Sequence, residues 1–79
     1  MKYDYRRLRG LIKTRFNSES EFAKVLGMNR STLSLKLSNE RDFTIADIQR
    51  ISKELLIPLD EVGVYFFTPE VEKKQQYTR

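Results

Sequence analysis

Seventy-nine residues that include neither cysteine nor histidine have room for one domain with a modest core, and they exclude disulfides, Cys/His zinc sites and histidine-based acid-base catalysis. No stretch is apolar enough over a membrane-spanning length, and the start M-K-Y-D-Y-R-R has no apolar signal segment behind it, so the sequence predicts a cytoplasmic protein. The net charge of +4 is unevenly spread: residues 1–16 carry six cationic and one anionic side chain, and residues 39–66 carry three and six. Such a basic end suits a polyanion, although the same pattern also serves a merely solvated surface.

The first helix is predicted over residues 4–15, with Asp4 as its cap and Leu8, Leu11 and Ile12 on one face, extended by Phe16 at the exit. Arg6, Arg7, Arg9 and Lys13 occupy the opposite face. Gly10 costs about 1 kcal/mol of helix propensity, but the apolar repeat continues across it, so no break is expected.

Residues 18–38, S-E-S-E-F-A-K-V-L-G-M-N-R-S-T-L-S-L-K-L-S, organise the rest of the chain. Ser18 followed three residues later by Glu21 is a capping-box pattern, which starts a helix at Glu19. Phe22, Ala23 and Leu26 give it one narrow apolar face. Gly27 permits the positive φ at which the helix stops and the chain turns. Asn29 is a good cap residue for a second helix, whose Leu33 and Leu37 point the same way at i and i+4. Only one side of this second helix is therefore held. On its other side stand Arg30, Ser31, Ser34 and Leu35. Short side chains allow close approach to a surface, and an arginine beside serines at a first turn can place a bidentate donor on guanine and hydroxyls on bases or phosphates.

The loop Ser38 to Phe43 is polar apart from Phe43, which is expected to anchor its end in the core. Thr44 and Asp47 form a second capping-box pattern, starting a helix that runs to about Leu55 with Ile45, Ile48, Ile51 and Leu55 as its buried stripe. Pro58 opens a short fifth helix, Leu59 to Gly63, presenting Leu59 and Val62. The run V-Y-F-F at 64–67 can extend that helix, cross the core as an extended piece, or meet a second copy. The favoured expectation is packing on the domain with part of the Tyr65, Phe66 and Phe67 surface left for a weak dimer contact. Residues 1–67 are thus read as one all-α domain of four to five helices with a short aromatic end, and 68–79 as a polar, flexible tail.

From about Tyr5 to Phe67 the chain resembles the lambda- and 434-type phage repressors and Cro proteins, a helix-turn-helix family. The resemblance lies in F-A-K-V-L-G, in M-N-R-S-T-L-S with its capped second helix, and in I-Q-R-I-S-K-E-L-L-I. Y-D-Y-R-R-L-R-G-L-I, S-T-L-S-L-K-L-S and V-Y-F-F are similar in particular to small phage and prophage regulators of Gram-positive bacteria. The resemblance implies a compact helical domain whose second motif helix lies in the major groove of double-stranded DNA, with Arg30, Ser31, Ser34 and Leu35 facing bases. The implied phosphate contacts are Arg6, Arg9, Ser20, Lys24, Asn29, Lys36, Ser38, Asn39 and Arg41. Two positions depart from the family's habit: Glu19 stands where glutamine is frequent, and Asn39 where glycine is common.

The function expected is a sequence-specific transcription regulator that binds a palindromic operator as a weak homodimer, formed in free solution or on DNA, without cofactor, metal or small-molecule effector. The alternative is a helical protein-interaction module, antitoxin-like or an anti-repressor partner, that does not read bases. An enzyme is not expected, since the chain has no glycine-rich phosphate loop, its carboxylates are scattered over caps and polar faces, and its serines have no general base beside them.

Overall fold

The starts of α2 and α4 trace to formed capping bonds in the computed structural model, which describes residues 2–71. The helices are α1 (Arg6–Phe16), α2 (Glu19–Leu26), α3 (Arg30–Leu37), α4 (Ile45–Leu55) and α5 (Val62–Phe66), with a 3-10 turn at Leu59–Glu61 ahead of the last. The expected all-α class is what the chain adopts. Gly10 leaves α1 unbroken. Ser18 caps α2 by accepting the Glu21 N–H at 3.1 Å. The reciprocal half of that capping box is not made, because the Ser18 N–H donates to the Phe16 carbonyl instead. Gly27 takes the left-handed conformation (φ 69°), which lets its own N–H and that of Met28 close back on the end of α2.

α4 has the complete box: Thr44 Oγ1 accepts the Asp47 N–H and the Asp47 carboxylate accepts the Thr44 N–H. Its stripe is shorter than expected. Ile51 and Leu55 are fully buried and Ile48 packs against the core, but Ile45 at the first turn is 74 % exposed. The first residue of a helix projects beyond the neighbour that covers the later turns, so periodicity alone overextends the buried stripe. Leu59 is corrected in the same way. It lies in the 3-10 turn, where side chains follow a period of three, and is 90 % exposed.

The V-Y-F-F run continues the helix begun at Val62. Phe66 is 1 % exposed and sits in the core with Leu8, Ile12, Phe22, Leu33, Ile51 and Leu55, so it is removed from the dimer surface, while its neighbour Phe67 remains half exposed. Both belong to a set of aromatic contacts at this end of the domain. Tyr5 meets Phe43 edge to face at 5.3 Å, Phe43 meets Phe66 at 5.4 Å, and Phe67 meets Tyr3 at 5.7 Å. Pairs of this geometry add about 0.5–1.5 kcal/mol each beyond burial.

Tyr3 and Tyr5 also redraw the domain boundary. The Asp4 N–H donates to the Thr68 carbonyl at 2.8 Å and the Glu70 N–H to the Lys2 carbonyl at 3.0 Å, around an antiparallel bridge between Tyr3 and Pro69. Residues 68–70 therefore belong to the folded body and not to a tail. The remainder of the expected tail, 72–79, lies outside the described residues.

Candidate nucleic-acid interface

α3 takes its main backbone support from α2 and presents one arc outward. Leu33 and Leu37 are buried beneath it, while Arg30, Ser31 and Ser34 are exposed and Leu35 is half-buried. At 100° per residue these four outward positions, with Ser38 beyond the helix end, fall within about 140° of arc. No acidic side chain stands on α3. Asn29, at its start, has extended backbone but makes no capping bond; its Oδ1 accepts the Ser31 hydroxyl at 3.3 Å.

Two clefts border this arc, and they bring together several of the expected phosphate contacts. Arg9, Lys13, Glu19, Ser20 and Arg30 line the first, where α1 crosses the starts of α2 and α3. Arg6, Arg9, Ser38 and Asn39 line the second with the Tyr3 and Pro69 segments. Arg9 lines both clefts, one at the start of α3 and the other at its end. Lys24 and Arg41 are exposed outside the clefts; Lys24 pairs with Glu21 at 3.5 Å, and Arg41 has no ion pair among the described residues. Lys13 and Asn17 line the first cleft although neither was among the expected contacts. The signal for Lys13 was its i+4 spacing from Arg9.

Charges on this surface are partly neutralised within the protein. Arg9 Nη1 contacts Glu19 Oε2 at 2.6 Å, so the Glu19 carboxylate is engaged by an α1 cation. Asp4 is not the N-cap of α1, a position held by Tyr5. It accepts the Arg6 N–H at 3.0 Å and the Arg6 guanidinium at 2.8 Å, and the Arg6 side chain followed by its amide holds the carboxyl down at about 2.

Two expected phosphate contacts are corrected. Lys36 is 9 % exposed and pairs with Asp47 at the start of α4. Helical spacing puts it on the side of α3 away from Arg30 and Ser34, which rules out a shared approach to one phosphate backbone. Asn39 does adopt the left-handed conformation (φ 69°), but its amide is engaged. It accepts the Tyr3 N–H and donates to the Tyr3 carbonyl, both at 2.9 Å, as a strand neighbour would. Ser38 keeps a lesser tie, donating its hydroxyl to the Leu35 carbonyl at 3.0 Å.

Among the described residues no cluster of acidic side chains is arranged to hold a metal ion, and no helix is long and apolar enough to cross a membrane. The fold and surface together define a small all-helical domain with one outward-facing, acid-free helix beside a basic one. Residues 1–69 match the DUF739 family, described as a protein of unknown function, and the chain belongs to that family. No curated protein matches the chain.

Proposed function

We propose that the chain is a sequence-specific double-stranded DNA-binding transcription regulator of the lambda-repressor-like helix-turn-helix kind. The observation that carries this proposal is the outward arc of α3, on which Arg30, Ser31, Ser34 and Leu35 stand without an acidic neighbour on the helix. Arg30 supplies a fork that fits guanine, the serines supply short hydroxyls, and Leu35 supplies an apolar contact for a thymine methyl. Lys13, Ser20 and the Arg9 edge of the adjoining cleft give a phosphate backbone somewhere to lie.

A helix of this length reads only a few base pairs, so useful specificity calls for two half-sites about one turn apart, bound by a dimer. Phe67 and the half-buried Tyr65 are the members of the aromatic run left to contribute to pairing. The dimer is weak, because so short a segment buries little of the area a stable interface needs. Repression follows from occluding polymerase on a palindromic operator, needs no cofactor or effector, and fits a small phage or prophage regulator working on the nucleoid.

A protein-interaction module without base reading is the second proposal. The internal pairing of Arg6 with Asp4 and of Arg9 with Glu19 favours it, since both cations are partly neutralised before any phosphate arrives. Fluorescence anisotropy on a random duplex at low and moderate salt separates the two. DNA binding gives an affinity that falls steeply with salt. A flat baseline at low salt would transfer the assignment to the interaction module.

A further inference from the structure

Among the described residues Lys36 is the one buried charged side chain, and it joins the outward-facing helix to its support. It is buried on α3 together with Leu33 and Leu37, and its ammonium contacts Asp47 Oδ2, the same oxygen that accepts the Thr44 N–H in the α4 capping box. Both side chains of the pair are largely shielded from water, at 11 % and 16 % exposed. α3 otherwise leans mainly on α2, so rotation of α3 about its own axis meets one polar stop, the Asp47 carboxylate. That carboxylate is immobilised by the cap it completes, and a buried ionic pair can select one arrangement among several of similar packing.

Resting on the DNA-reading proposal, we propose that Lys36 is a positioning residue for base reading: through Asp47 it fixes the rotation of α3, and hence where Arg30 and Ser34 meet the groove, without touching DNA itself. Its location on the side of α3 opposite the outward arc makes direct contact incompatible with base reading by that arc. A rotation that displaces Arg30 from its base forfeits a bidentate contact, whereas phosphate contacts from α1 and α2 are unaffected. Selectivity is lost and nonspecific affinity is not.

The test uses the full chain, a duplex selected by wild type from a randomised library, and a scrambled duplex of the same composition. Lys36→Met, Asp47→Asn and Lys36→Arg are compared after thermal melts establish that each is folded. Positioning predicts that Lys36→Met and Asp47→Asn each lose about tenfold on the selected duplex, the order of one bidentate contact. On the scrambled duplex they bind as wild type, with an unchanged dependence of affinity on salt, and Lys36→Arg retains selectivity through its own pairing to Asp47. A phosphate contact predicts the opposite. Lys36→Met would then weaken both duplexes and reduce the salt slope by about one, and Asp47→Asn would release the lysine and tighten both. Either that pattern or wild-type selectivity in both variants overturns the inference. Should Lys36→Met fail to fold, Asp47→Asn decides alone, since its amide oxygen still serves the Thr44 N–H and its two predicted outcomes differ in sign. A wild type that selects no duplex overturns the DNA-reading proposal itself, and this inference with it, before any variant is measured.

Discussion

Both α3 and α4 begin after a residue favoured at helix starts, yet only α4 uses it. Thr44 and Asp47 exchange both capping bonds, while the Asn29 side chain turns to the Ser31 hydroxyl and caps nothing. α4 also holds its neighbours: the Arg50 guanidinium donates to the Val25 carbonyl at the end of α2 at 2.9 Å, and Asp47 receives Lys36 from α3. α3 has eight residues, below the length at which a helix persists alone, and it keeps its shape through Leu33, Leu37 and Lys36 packed into the body. The comparison teaches that a helix complete in its own local bonds serves as support, whereas one completed by its neighbours can leave a whole arc of side chains for another molecule.

The strongest way to break this comparison is to empty the core under each helix. Leu33→Ala and Ile51→Ala each remove a side chain with no exposed surface, and each is expected to cost about 2–5 kcal/mol in denaturant melts. For a domain of this size that is most of the available stability. Near-wild-type melting of the Ile51 variant would remove α4 from its supporting role. Next in size is Arg30→Ala, expected to weaken binding to a selected duplex by about 1–3 kcal/mol while changing stability by less than about 0.5 kcal/mol. Equal losses on selected and random duplexes would make Arg30 a phosphate contact, and a drop in thermal stability would place it among the packing residues.

Much of the fold was legible because its signals are local. Ser18, Gly27, Asn29, Thr44 and Pro58 each mark a boundary within one residue of where an element starts or stops. The buried faces of α1 and α2 follow directly from spacing, as do Leu33 and Leu37 on α3, whereas the burial of Lys36 beside them does not. What escaped was long-range. Tyr3 and Tyr5 have the alternation of a short extended arm, but two residues give no usable period, and their partners Pro69, Asn39 and Phe43 are distant in sequence. Phe66 and Phe67 are equivalent in composition, and only the packing of α5 on α1, with Phe43 against Phe66, decides which ring is core. The base-reading candidates were legible as the unburied side of α3. The phosphate candidates were less so, because sequence records that Lys36, Arg6 and Arg9 are cationic but not that Asp47, Asp4 and Glu19 are within reach.

The smallest effects sharpen the comparison furthest, since they isolate the caps. Thr44→Ala removes a formed capping bond and should cost about 1 kcal/mol, whereas Asn29→Ala removes none and should cost under about 0.5 kcal/mol. Asp47 adds a pH signature to this pair. Burial pushes its carboxyl up, but the Lys36 ammonium and the Thr44 hydrogen bonds outweigh that and hold it below the ordinary 3.8. A carboxyl lowered by folding stabilises the protein fully above its unfolded value, and the contribution fades as pH falls through that value toward the folded one. The melting gap between wild type and Asp47→Asn should therefore be widest near neutrality and narrow progressively below about pH 4. Asp4, also lowered, titrates in both proteins and drops out of the difference. A gap that stays constant into acid would mean that the Asp47 charge contributes nothing to holding α3 against α4, leaving only the capping oxygen, which asparagine supplies as well.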